Sequence, residues 1–207
     1  LKKLDFLKRL GYYLAGFVIL TLGQRLFVEA SLGAGSLDAL CVGLAGRTGL
    51  TAGTWVAITA VIMIAASALL LKRKPRLTAL VSSYVFGIFF DLWGRFFSRY
   101  FTEDSLKLHI IMYLAGIILA PLGTAIYFKS GFSKTALDEF IMSVRESRNL
   151  SVRAAKTIVE VANCLLAVAA GGPIGVATVL TAFLFGPILQ FFLGPVYKKG
   201  DPVLSEK

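Results

Sequence analysis

HIIMYLAGIILAPLGTAIYF, residues 109–128, runs for twenty positions without an ionised side chain. A helix of about that length crosses the roughly 30 Å hydrocarbon core of a bilayer. Inside it, Tyr113-Leu114-Ala115-Gly116 repeats a tetrapeptide met one hundred residues earlier, Tyr13-Leu14-Ala15-Gly16. The same segment therefore points to lipid and to an internal duplication.

The rest of the chain agrees on lipid. Of its 207 residues, 57% are hydrophobic and 16% charged, and the mean hydropathy is +0.75, well above a water-soluble domain. Further apolar runs cover 10–30, 54–71, 77–97, 154–170 and 176–197. Together they predict an all-α membrane protein of about six transmembrane helices with short loops. The first run, with basic residues before it and small ones near Ala30, also has the outline of a signal peptide. Its place in the repeat favours retention.

The formal net charge of +10 raises the question of nucleic acid, which the positions of the charges answer. Lys2, Lys3, Lys8 and Arg9 precede the first run, Lys72, Arg73, Lys74 and Arg76 follow the second, and Lys198 and Lys199 follow the last. Lys129, Lys134, Arg145, Arg148, Arg153 and Lys156 flank the loop after the fourth. The intervening loops carry Arg47 alone, a mixed set at 97–108, or no charge at Gly171-Gly172-Pro173. That alternation is the positive-inside pattern: it puts both termini in the cytoplasm and makes the bilayer, not nucleic acid, the partner. Cys41, Cys164 and the single His109 have no metal-ligand spacing. No metal or cofactor is expected. HExxH and GxSxG are absent, so the chain is not expected to be an enzyme.

A shift of one hundred residues aligns the two halves without a gap over about forty positions, at about one identity in five. Leu22-Gly23 meets Leu122-Gly123, Leu37-Asp38 meets Leu137-Asp138, and one inserted residue brings Phe86-Gly87 against Phe185-Gly186. Chance likeness among apolar sequences is the competing explanation; matched Gly and Asp in the same order speak against it. The halves are 1–100 and 101–207, one membrane domain in all. Three spans per half is odd, so the second half inserts upside down, as in many transporters.

After the first span of each half comes a piece too short to cross, 33–53 and 133–153, each predicting a short helix. The second is amphipathic and suits an interface; the first is apolar and small, and suits a re-entrant helix. Asp38 and Asp138 start these helices, three residues after Gly35 and Thr135. An acid there stabilises a helix N-terminus, and an acid pair across a pseudo-two-fold equally forms a cation or proton site. Both readings stay open.

Other polar residues lie within the spans. Arg25 can pair with Glu29 on its own helix, snorkel to the interface, or hold an anionic group. Asp91 can pair with Arg95 or face a pathway, and Gln190 is its counterpart in the sixth span. Pro121 and Gly186-Pro187 interrupt helices and, with Gly35, are hinge or gate candidates. Gly11, Ala15, Gly16 and Gly23 form a small-residue face, as do Gly116, Pro121 and Gly123, and the two faces suit close packing.

Leu32-Gly33-Ala34-Gly35-Ser36-Leu37-Asp38-Ala39-Leu40, then Gly43-Leu44, Gly49-Leu50-Thr51-Ala52-Gly53-Thr54, the basic stretch Lys72 to Arg76 and Phe86-Gly87-x-x-x-Asp91 resemble the YczE/YitT family of bacterial membrane proteins. Leu37 stands where tryptophan is commoner in that family, and Ser36 where proline is. The resemblance implies a multi-pass protein of the bacterial cytoplasmic membrane and brings no substrate. Three functions fit: a small-solute transporter or exporter lined by Arg25, Asp38, Asp91, Asp138 and Gln190, a passive channel, or a non-catalytic subunit of a membrane complex. Self-association into a homo-oligomer is compatible with each.

Overall fold

The computed structural model describes residues 2–101 and 105–196, and these hold eight helices and no strand. They are α1 (Lys2–Glu29), α2 (Ser36–Thr48), α3 (Ala52–Leu71), α4 (Thr78–Tyr100), α5 (Leu106–Lys129), α6 (Ala136–Arg148), α7 (Val152–Ala170) and α8 (Val176–Val196). Glu103, Asp104, Tyr197 and the basic tail with Lys198 and Lys199 lie outside the described residues.

Local chemistry sets these boundaries. Thr51 accepts a hydrogen bond from the Thr54 amide and Ser151 from that of Ala154, both at 3.1 Å, capping α3 and α7. Gly49 and Asn149 close α2 and α6 in the left-handed conformation, and Lys72 and Gly171 do the same for α3 and α7. As a result α2 and α6 start and stop one hundred residues apart.

The core is built on α1 against α5, running antiparallel. Gly16 faces Tyr127, Gly23 faces Ala120, Gly116 faces Phe27 and Gly123 faces Leu20, each so close that a Cβ would collide with the other helix. Small residues thus do what the sequence assigns them, helix contact without a hydrophobic gradient between lipid and protein. Gly11 has nothing within 4 Å and takes no part. Each short helix crosses to the other half of the chain: α2 packs on α7, and α6 packs on α3. Gly43 and Gly172 make the first of these contacts tight. In the second, Ala136 packs among Ala60, Met63 and Ile64.

Among the described residues, five stretches are long and apolar enough to cross a membrane: Asp5–Glu29, Ala52–Leu71, Thr78–Tyr100, Leu106–Lys129 and Val176–Leu193. Their outer faces are apolar and bare; Leu69 is 79% exposed and Phe183 75%. Such a surface needs lipid. The predicted span at 154–170, within α7, is not among them; α7 carries Lys156, Glu160 and Asn163. Its polarity is inside out: Ile158, Val161, Leu165 and Val168 are exposed, while Asn163 is buried. The chain is an all-helical integral membrane protein.

Candidate functional site

A void of about 650 Å³ lies between the halves, with wall residues from all eight helices. Its ionisable lining comprises Asp38, Asp138, Lys134, Lys156 and Glu160, together with Tyr127 and Cys164. Most of these are occupied. Lys156 pairs with Glu160 at 3.6 Å and lies over the Phe185 ring; Lys134 lies over Phe128.

The two aspartates differ sharply. Asp138 Oδ2 accepts hydrogen bonds from Tyr127 Oη at 3.0 Å and Thr135 Oγ1 at 2.8 Å, and its amide donates to Thr135 Oγ1 at 3.4 Å. It is a helix-start acid fixed in place by two hydroxyls. Asp38 stands at the matching position of α2, where Thr135 is replaced by Gly35 and Tyr127 by Phe27. Neither replacement can donate from a side chain. Asp38 is 6% exposed, and among the described residues none donates a hydrogen bond to its carboxylate or forms an ion pair with it. Near it, Gln24 Oε1 is buried without a partner. A Cβ on Gly35 would stand 3.0 Å from Asp38 Oδ2 and 3.6 Å from Gln24 Oε1, so the two oxygens converge on one place. Buried acceptors left unmet, and an ionised one above all, cost several kcal/mol, on the order of 3–5 for a charge stripped of its partner. A donor or cation supplied from outside removes that penalty.

The other sequence candidates lie elsewhere. Arg25 bonds Glu29 at 2.6 Å, stacks over Phe90 and fits against Gly94, where any Cβ would clash. It does not line the void. Asp91 does not line it either; it accepts from the Gly53 amide at 2.8 Å and secures the start of α3 where Gly53 and Gly87 bring α3 and α4 together. That bond crosses helices, in place of the Arg95 pairing along its own. Gln190 is exposed on α8 and lies away from the void. Pro121 is fully buried within an unbroken α5, and Gly186 and Pro187 sit in an unbroken α8 with no heavy atom within 4 Å of a Cβ built on Gly186. Of the hinge candidates, Gly35 alone lines the void. Gln24, Tyr127 and the Lys156–Glu160 pair belong to the site without having been singled out from sequence.

The two ends of the void are built differently. Phe128, Lys134 and Met142 also wall a second cleft of about 910 Å³. Across that cleft run Arg73–Glu146 at 2.6 Å and Arg76–Glu139 at 3.3 Å, both joining the α3–α4 loop to α6. Exposed pairs of this kind contribute little, on the order of 0–1 kcal/mol each. At the other end the loop 31–35 is joined by backbone bonds to the loop 171–175, Ala34 N to Pro173 O at 2.9 Å, and to the first turn of α8, Ala177 N to Leu32 O at 3.0 Å. Gly172 against Ala39 and Gly175 against Leu32 leave no room for a Cβ.

A helical membrane protein with a mostly apolar void that holds a few ionisable groups between its halves is the class these features define. Within it, the chain belongs to the family of unknown function DUF6198, which matches residues 7–194, and is YczE-like. It is 35% identical to the uncharacterized protein YyaS of Bacillus subtilis over 88% of this chain and 90% of that one. With the uncharacterized membrane protein YczE of the same organism it shares 30% identity over 92% of this chain and 88% of that one. An uncharacterized protein of Haemophilus influenzae is 28% identical over 90% and 84%. No solved structure matches the chain.

Proposed function

We propose that this protein is a small-solute transporter or exporter whose pathway is the void between two oppositely inserted halves, residues 1–100 and 101–207. The observation that carries the reading is Asp38, a carboxylate buried in that void with no partner among the described residues. A purely structural helix-start acid has the environment of Asp138; an acid kept bare at the membrane interior suits a ligand that comes and goes. Supporting it, the helix boundaries recur at one hundred residues and the short helices exchange between halves, as inverted repeats do. The six spans then include α7, with its polar face turned to the pathway.

The ends of the void fit alternating access. The cleft closed by exposed ion pairs carries Arg73, Lys74, Arg76 and Arg145 and is read as cytoplasmic by the positive-inside rule, in a bacterial cytoplasmic membrane with both termini inside. The opposite end, sealed by backbone bonds and glycine contacts, is read as external. This arrangement favours a carrier over a passive channel, which needs both ends open at once.

Solute flux in proteoliposomes, with an outward gradient of the same solute and without one, tests the proposal. Counterflow that accelerates with the opposing gradient and is lost in Asp38→Asn is expected. Flux indifferent to the gradient favours a channel. No flux with any solute, with a second protein co-purifying, favours a complex subunit.

A further inference from the structure

The bare pair of oxygens also says what kind of solute fits. We infer that the void binds a hydrophobic amine in its protonated form, with the ammonium N–H groups donating to Asp38 and Gln24 and the hydrocarbon part packed on the walls. This deepens the transporter reading and rests on it for the direction of movement, but binding itself does not require flux.

Three observations carry it. First, Gln24 Oε1 is buried without a partner, the Asp38 carboxylate accepts no hydrogen bond from any described residue, and the two acceptors flank the same point beside Gly35. An anion or a plain acceptor finds nothing there, and Arg25, the one basic residue suited to an anion in the first span, is held by Glu29. A secondary or primary ammonium offers two or more N–H donors from one nitrogen, which matches two converging acceptors. Second, the cations already in the void are engaged: Lys156 is on Glu160, and Lys134 stacks on Phe128. Among the described residues, none supplies the positive charge that would balance Asp38. Third, the remaining wall is mostly apolar, with Leu20, Val56, Met63, Phe86, Phe128 and Phe185 beside scattered serine and threonine hydroxyls. An alkali metal ion would leave those walls idle and asks for more oxygens than the two that converge. Among the described residues there is also no cluster of three His, Cys, Asp or Glu suited to a metal ion. A mostly apolar chamber with few fixed polar groups is the pattern of an organic-ligand site, and its aromatic rings add attraction for a cation.

Calorimetric titration of the purified full chain in lipid nanodiscs tests this with three probes. Dibenzylamine is protonated at neutral pH and carries two N–H donors. Dibenzyl ether has the same shape without charge or donor, and the quaternary dimethyl derivative of the amine has the charge without the donors. Saturable binding of the protonated amine is expected, weakened about tenfold or more by Asp38→Asn, as for loss of a charged hydrogen bond, and kept by Asp38→Glu. The quaternary probe should bind less tightly than the amine, and Gln24→Leu should narrow that difference, the Asp38 hydrogen bond keeping the remainder. Equal binding of ether and amine, amine binding indifferent to Asp38→Asn, or an Asp38-dependent heat obtained only with sodium would each overturn the inference. Amine binding without flux leaves this site standing and removes the transporter reading; flux of another solute without amine binding does the reverse.

Discussion

Asp38 and Asp138 are the same residue at the same place in two helices of equal length, yet one is tied down and the other is not. Two side chains make the difference. Thr135 and Tyr127 give the second acid its hydroxyl partners, and Gly35 and Phe27 withhold them from the first. On the proposed reading, one acid serves stability and the other is left for a ligand. The asymmetry continues on the facing helices, where α7 carries Lys156 and Glu160 at positions that α3 fills with Val56 and Ala60.

This contrast can be attacked at either acid. The largest effect belongs to Asp38→Asn, which removes the charge while keeping the shape. Solute flux in proteoliposomes should fall about a hundredfold, as expected when a buried ion pair loses one member at roughly 3 kcal/mol, with little change in the melting temperature. Next, Gly35→Thr restores to the first half the hydroxyl that the second half owns. The backbone at Gly35 is already extended (φ −57°, ψ 149°), so threonine fits once the Asp38 carboxylate yields slightly. Flux should drop about tenfold as Asp38 gains an internal partner, while stability stays level or rises by about 0.5 kcal/mol through helix capping. A variant that transports better than the parent would refute the idea that bareness matters.

Asp138→Asn should reverse this profile. Losing the charged acceptor of Tyr127 and Thr135 lowers stability by about 1–3 kcal/mol, read as a lower melting temperature in detergent, and flux should stay within about threefold of the parent. Asp91→Ala comes below it, at about 1 kcal/mol of stability from the lost bond to the Gly53 amide. Gln190→Ala closes the series with a change inside about 0.5 kcal/mol, as for surface positions, and unaltered flux. A Gln190 variant without flux would bring α8 back into the pathway.

Much of the fold is legible in the sequence because its signals are local. Caps such as Thr51 and Ser151, the long apolar runs, and the Arg25–Glu29 spacing each depend on a few neighbouring residues. The small-residue faces of α1 and α5 are equally local, although Gly11 shares the pattern and touches nothing. What is not legible depends on how helices turn against one another. Gln190 matches Asp91 by alignment, but α4 packs on both α1 and α3 whereas α8 leans chiefly on α5, so the matched side chains meet different surroundings. Asp91 itself finds the Gly53 amide across a helix interface, which spacing along one helix does not reveal. Lys156 reads as a loop-flank charge until the inward face of α7 and its pairing with Glu160 are seen. The distinction between the two aspartates was present in the aligned pairs 27/127 and 35/135, and only the position of the Tyr127 hydroxyl gives those pairs their meaning.

All of this depends on the two halves entering the bilayer in opposite senses, so that their short helices meet around one chamber. Labelling with a membrane-impermeant maleimide in intact cells and in inverted vesicles measures that directly. Lys74→Cys and Gly171→Cys, both at exposed positions, are introduced singly after Cys41 and Cys164 have been replaced by alanine. Position 74 should react only in inverted vesicles and position 171 only in intact cells; reaction of both from the same side would contradict the inverted arrangement and remove the shared chamber.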